Sequence, residues 1–132
     1  MDQRKGEHRL LAVLISVPHV AAELASEYWK LLRGFERSIA QLPQDAQPRF
    51  QAQARYAATR LDAILSLAGL RIVAFDGQPF DPKMPAIPIN TDKVQGSEGV
   101  FVERTLEPAV IEGMTAVITG KVYLASPKHR SE

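Results

Sequence analysis

The side chains that most often carry out chemistry are few in this sequence and lie far apart along it. The 132 residues include three histidines and no cysteine. The histidines are His8, His19 and His129. We expect none of them to share a helical face with a carboxylate or a second histidine at metal-ligand spacing. Without cysteine, the chain has no thiol nucleophile, no disulfide and no Cys-based zinc site.

Two aspartates, Asp76 and Asp81, come nearest to a carboxylate pair for acid–base catalysis. Both lie in turn-forming sequence, where Asp is frequent because its side chain bonds to nearby backbone groups. The chain contains neither a glycine-rich phosphate loop nor the Gly-x-Ser-x-Gly pattern of a hydrolase nucleophile. The sequence therefore predicts a protein that is not an enzyme and that holds no metal or cofactor.

Charge and hydropathy limit the classes of partner that we expect for this chain. With 16 basic and 15 acidic residues, the formal net charge is +1, which gives no electrostatic reason to expect nucleic acid or an anionic membrane as a partner. No stretch approaches the roughly 20 apolar residues of a membrane span. The apolar run Leu10–Val17 is short and is preceded by Asp2 and Glu7, unlike a signal peptide. We therefore expect a cytoplasmic protein.

The first element is predicted to be a long helix over residues 7–42. Its apolar residues alternate in steps of four and three: Leu10, Leu14, Val17, Ala21, Leu24, Tyr28, Leu31 and Phe35. A 3.5-residue period is typical of a coiled-coil or helix-bundle contact. Pro18 removes a backbone donor, so we expect a kink that separates a short N-terminal stalk.

A second helix is predicted over residues 46–68, with Asp45 as its N-cap and Gly69 as its left-handed C-cap. Two helices alone cannot surround so wide an apolar stripe, so the sequence predicts a homodimer that forms a four-helix bundle. The predicted dimer interface consists of Leu24, Tyr28, Leu31, Phe35, Phe50, Ala57, Leu61 and Ile64.

After Gly69 the apolar period changes from helical to extended. Strands are predicted over Leu70–Phe75, Gly99–Leu106 and Met114–Ala125, with turns at Asp76-Gly77 and Glu112-Gly113. Four prolines exclude Gln78–Pro88 from the centre of a sheet. The predicted fold class is α+β: a helical stalk and bundle region over 1–69, a small β-domain over 70–125, and a polar tail over 126–132.

The order of these parts resembles the GrpE family, the nucleotide exchange factors of DnaK-type chaperones. The segment Leu32–Ile39 is similar to the family's Leu-Asp-Asn-Leu-Glu-Arg-Ala-Leu block. The family's Gly-x-Pro-Phe-Asp-Pro motif at the start of the β-domain matches the run Gly77, Gln78, Pro79, Phe80, Asp81 and Pro82. Gly69 matches the glycine before the first strand, Gly99–Glu103 resembles the Gly-x-Val-x-Glu strand, and Gly120–Ala125 resembles the terminal strand.

The resemblance implies a dimeric bundle that presents its β-domain to the nucleotide-binding domain of a DnaK-type chaperone and speeds ADP release. It places partner contacts in the β-domain and on polar positions of the second helix. These expected contacts are Glu103, Arg104, Lys83, Met84, Met114, Gln53 and Arg60. The family's arginine-rich stretch is replaced here by Gly113–Thr119, which has no arginine. This leaves open the alternative of a dimeric scaffold or adaptor that binds another protein through its β-domain and has lost exchange activity.

Overall fold

A computed structural model describes the backbone of residues 2–127 and the side chains of residues 17–127. The fold is α+β, with two long helices followed by two small sheets and one short helix. In chain order the elements are α1 (Asp2–Ile39), α2 (Gln47–Leu67), β1 (Leu70–Val73), β2 (Ala86–Pro88), α3 (Thr91–Val94), β3 (Phe101–Glu107), β4 (Ala109–Glu112), β5 (Thr115–Ile118) and β6 (Gly120–Ala125).

The two long helices are close to their predicted bounds. Helix α1 is continuous through Pro18. Asp45 is not the N-cap of α2, because Ala46 occupies that position without a side-chain hydrogen bond, and Pro48 lies in the first turn that follows. A proline suits this place because the first turn has no intrahelical use for its missing N–H. At the other end Gly69 has a φ of 71°, which confirms the predicted left-handed cap.

The two sheets have three strands each. In the first sheet the order is β1-β4-β5, and all neighbours are antiparallel. In the second sheet the order is β2-β6-β3, with β2 parallel and β3 antiparallel to β6. The proline-rich segment contributes only the three-residue edge strand β2, because its prolines cannot donate to a ladder on both sides.

Both predicted turns are present, with Gly77 at φ 80° and Gly113 at φ 61°. The sequence reading missed the short elements β4 and α3, and it merged β5 with β6. Strand β4 follows directly after Pro108, and α3 has only four residues. Elements of this length carry too few residues for a periodic pattern.

Two apolar cores hold these layers together. One packs on the second sheet, where Val102 of β3 and Val122 of β6 are buried together with Phe75. The other joins the helices to the first sheet, since Ala22 and Ala25 of α1 and Leu61 and Leu65 of α2 pack with Val110 of β4. The small alanines let α1 approach the sheet closely. The helical half and the β half therefore share a core at their border.

Candidate protein-interaction surfaces

A row of apolar side chains on α1 faces solvent. We call it the helical seam; it consists of Val17, Val20, Leu24, Tyr28, Leu31 and Phe35. Leu24 is 67% exposed and Leu31 is 76% exposed. Their spacing places them on one side of the helix, while the alanines that pack against the sheet lie on another. The chain therefore buries one face of α1 and leaves a second apolar face uncovered.

An apolar groove of about 260 Å³ continues this surface between α1 and α2. Leu24 and Tyr28 line it from α1, and Leu61 and Ile64 line it from α2. Tyr28 also ties the two helices together, because its hydroxyl donates to the carbonyl oxygen of Ala57 at 3.3 Å. The hydroxyl is thus satisfied while the ring stays available to a partner.

The eight predicted interface residues fall into three groups. Leu24, Tyr28, Leu31, Phe35 and Ile64 are exposed. Phe50 and Ala57 are half-buried, and Phe50 meets the ring of Phe35 edge-on at a centroid distance of 6.4 Å. Leu61 is 8% exposed and belongs to the core of its own chain. Single-chain packing therefore takes up part of the stripe and leaves the α1 side open.

The segment Gly77–Pro82 runs beside β3 and is bonded to it. The N–H of Gly77 donates to Val102 O at 2.8 Å, and the N–H of Val102 donates to Gln78 O at 2.8 Å. Two residues further on, the N–H of Phe80 donates to Val100 O at 3.0 Å. Phe80 is half-buried against the second-sheet core. Pro79 and Pro82 border this ladder as exposed, stiff positions.

The predicted partner contacts of the β-domain lie on different elements of the fold. Glu103 and Arg104 are exposed on β3, and Lys83 is exposed in the loop after Asp81. Asp81 shapes this loop, since its Oδ1 accepts the N–H of Lys83 at 2.9 Å. Met84 was predicted to be an exposed contact. It is instead half-buried and packs against the second-sheet core.

The remaining predicted contacts lie elsewhere in the fold. Met114 is 99% exposed at the tip of the β4–β5 hairpin, in the other sheet. Gln53 and Arg60 are exposed on α2, two turns apart and therefore on a common face. A partner that touches all of these residues has to contact both sheets and the second helix.

The sequence reading missed a cluster of basic residues between α1 and β3. We call it the cationic cleft; it measures about 410 Å³ and is lined by Trp29, Lys30, Arg33, Arg37, Arg104, Thr105 and Leu106. The guanidinium of Arg33 lies over the indole of Trp29, 4.5 Å from the ring centroid. The signal available in the sequence was the spacing of Trp29, Arg33 and Arg37, one helical turn apart each.

Two ion pairs fix the helix to the β-domain at this cleft. Arg33 Nη2 lies 3.2 Å from Asp76 Oδ2, and Lys30 Nζ lies 3.3 Å from Glu107 Oε1. Lys30 also donates to Glu27 at 2.6 Å. Its hydrogen bond to Glu27 is the main cause that raises the pKa of Lys30 above its ordinary value, with Glu107 adding to it and burial opposing it. Lys30 is therefore charged at neutral pH.

The carboxylate of Asp76 contacts groups outside its own turn. Its Oδ1 accepts the backbone N–H of Thr105 at 2.7 Å, and the Thr105 hydroxyl accepts the N–H of Phe75 at 2.9 Å. Because Oδ2 also contacts Arg33, a single carboxylate links α1, the turn after β1, and β3. In this geometry the carboxylate holds three parts of the fold together.

The histidine prediction was wrong for His19. Its Nε2 lies 3.1 Å from Glu23 Oε1, one turn along α1, so this histidine does share a helical face with a carboxylate. The pair is exposed, and within the described residues no group of three or more acidic or histidine side chains could hold a metal ion. The side chain of His8, and all of His129, lie outside the residues that the structure describes.

Over the described part of the chain, no helix is both long and apolar enough to span a membrane. Comparison of the chain with protein-family models, with curated proteins and with solved structures gave no match.

Proposed function

We propose that this protein is a cytoplasmic GrpE-like co-chaperone that acts as a homodimer, binds the nucleotide-binding domain of a DnaK-type chaperone and promotes ADP release. One observation carries the proposal: the long helix with an exposed apolar seam is followed by a shorter helix and a β-domain that opens with the Gly77–Pro82 segment bonded along β3. This is the order of parts on which the resemblance to GrpE rests.

The dimer is supported by the apolar surface that the single chain leaves uncovered. From Val17 to Phe35 the seam extends about 27 Å along α1. A continuous exposed apolar surface of this kind is rare on soluble monomers and marks an interaction site. Pairing with a second α1–α2 hairpin would bury the seam and the groove beside it in a four-helix bundle.

The proposed mechanism requires no catalytic group. The bundle holds the β-domains rigidly, and a β-domain binds better to an open nucleotide cleft than to a closed one. Differential affinity for the open state shifts the chaperone toward it, so that ADP leaves faster. Lys83, Glu103, Arg104 and Met114 are exposed and available for this contact. Gln53 and Arg60 would add contacts from α2.

Release of a fluorescent ADP analogue from a purified DnaK-type chaperone tests the proposal. The rate is measured while this protein is titrated to saturation, and we expect it to rise and then level off. A double variant, Arg104→Ala with Met114→Ala, should need a higher concentration to reach the same rate. Thr59→Ala, an exposed change on α2, serves as the matched control. An unchanged release rate at saturating protein would contradict exchange activity.

The alternative is a dimeric adaptor with the same fold that has lost exchange activity and binds another protein. It is favoured by the β4–β5 hairpin, whose tip carries the fully exposed Met114 and whose segment Gly113–Thr119 contains no arginine. An apolar tip suits a shallow apolar pocket on a partner better than a charged one. Calorimetry that finds no binding to the chaperone domain, by a protein that sediments as a dimer, would favour this alternative.

A further inference from the structure

The cationic cleft carries more positive charge than its own acidic neighbours neutralise. Four cationic side chains line it, namely Lys30, Arg33, Arg37 and Arg104, and no carboxylate is part of its lining. Asp76 and Glu107 at its edge are bonded to Arg33 and Lys30. Among residues 17–127, neither Arg37 nor Arg104 has an ion-pair partner. Two guanidinium groups, one from the helix and one from the strand, are thus left to bind an anion.

The cleft lies on the side of α1 away from the seam. At about 100° per residue, Arg33 and Arg37 are each about 200° around the helix from Leu31 and Phe35. A partner on the seam would therefore leave the cleft open. The cleft is also held in shape, because the ion pairs of Lys30 and Arg33 join its two walls. A site that is already formed loses less entropy when it binds.

We propose that the cationic cleft binds an acidic peptide segment, with Arg37 and Arg104 each taking one carboxylate. The planar guanidinium matches a carboxylate with two parallel hydrogen bonds. The indole of Trp29 and the side chain of Leu106 add apolar surface to the lining of the cleft. The inference rests on the cleft alone and holds whether or not the protein is an exchange factor.

A peptide fits the cleft better than a nucleic acid does. The chain as a whole has a formal net charge of only +1, whereas binding to a phosphate backbone relies on an extended basic surface. The lining also consists of side chains on a helix and a strand. It therefore lacks the run of backbone N–H groups in a glycine-rich loop that cradles phosphate.

The intrinsic fluorescence of the full chain tests the proposal, because Trp29 is the single tryptophan of the sequence and lies in the cleft. The probe is a blocked pentapeptide with two aspartates separated by one glycine. We expect a saturable change in emission that weakens as salt is raised. The same peptide with two asparagines should bind far more weakly, and inorganic phosphate should not reproduce the affinity of the aspartate peptide.

The variant Arg37→Gln with Arg104→Gln should bind the aspartate peptide at least about tenfold more weakly, since it removes both charge-assisted contacts to the peptide carboxylates. Arg71→Gln removes the same charge from an exposed position on β1 and should bind like the wild type. Arg37 and Arg104 are both exposed, so circular dichroism should show all variants folded. Equal binding by the double variant, by the asparagine peptide, or by phosphate alone would overturn the proposal.

Discussion

The two sides of helix α1 face different surroundings. On one side the helical seam exposes six apolar side chains to solvent. On the other, Lys30 and Arg33 form ion pairs with the β-domain and enclose the cationic cleft. Within the chain the first side contacts α2 only at Tyr28 and Phe35 among the contacts described above and stays largely exposed, whereas the second side is held by ion pairs. One helix thus separates an exposed apolar surface from a surface that joins the β-domain.

This difference predicts which substitutions change assembly and which change the single chain. A charge on the seam would be costly only where the seam is buried between two copies. A substitution in the ion pairs that join α1 to the β-domain acts within one chain. Its effect on stability therefore does not depend on protein concentration.

The largest effect is expected from Leu31→Asp, which places a carboxylate in the proposed bundle. Burying an unpaired charge costs on the order of several kcal/mol, so the dimer should dissociate. Thr59→Asp is the matched control, because it adds the same charge to an exposed position of α2. Light scattering should find the first variant monomeric and the second unchanged. Equal masses for the two variants would contradict the role of the seam.

A smaller loss of stability is expected from Asp76→Ala. It leaves the backbone N–H of the buried Thr105 without its acceptor and releases Arg33, at a cost of about 1–3 kcal/mol in the free energy of unfolding. Asp81→Ala is the control, because it removes an aspartate from another turn. It should lower the free energy of unfolding by roughly 0.5 kcal/mol or less, since only one exposed local hydrogen bond is lost. Urea unfolding measures both.

Asp76→Asn separates the two roles of this carboxylate. The amide oxygen can still accept from Thr105, but the ion pair with Arg33 is lost. We expect a stability between those of the wild type and Asp76→Ala. A variant as unstable as Asp76→Ala would show that the ion pair, and not the backbone bond, matters most.

The ion pairs of Lys30 should add little and should depend on pH. Because both partners are partly exposed, Lys30→Met should cost no more than about 1 kcal/mol. The pKa of Lys30 is raised in the folded chain, chiefly by Glu27 and then by Glu107. Its contribution is therefore complete below the ordinary pKa of lysine and is lost as pH rises through the raised value. Unfolding of wild type and variant should converge at strongly alkaline pH. A difference that persists there would contradict the assignment.

The smallest effect on stability is expected from Met114→Ala. The side chain is 99% exposed at a hairpin tip, so the free energy of unfolding should change by less than about 0.5 kcal/mol. Affinity for a partner that binds this tip should nevertheless fall. A marked drop in melting temperature would contradict a purely external role for Met114.

The long helices were predictable because their apolar spacing repeats over many residues. The alternation from Val17 to Phe35 fixes both the helix and its exposed face, and Gly69 marks where α2 ends. The turn at Gly77 was predictable because Asp-Gly is a local turn signal. Strand β4 and helix α3 were missed because four residues contain no measurable period.

The spacing of Trp29, Arg33 and Arg37 indicated one wall of the cationic cleft, but the other wall could not be predicted from the sequence because the contacts between the walls are far apart along the chain. Arg33 and Asp76 are separated by 43 residues, and Lys30 and Glu107 by 77. Charged side chains at such distances look like ordinary solvated positions until the fold brings them together. Met84 shows the opposite error, since a position in a proline-rich loop was expected to be exposed and instead packs against a core.

The most direct test of the central claim is the mass of the wild-type protein in solution. Sedimentation equilibrium over a range of concentrations should give twice the 14.6 kDa of the single chain, because the proposed bundle buries the seam between two copies. A mass of 14.6 kDa at every concentration would mean that no second copy covers the seam. It would contradict the proposed bundle and the proposed role of the seam side of helix α1.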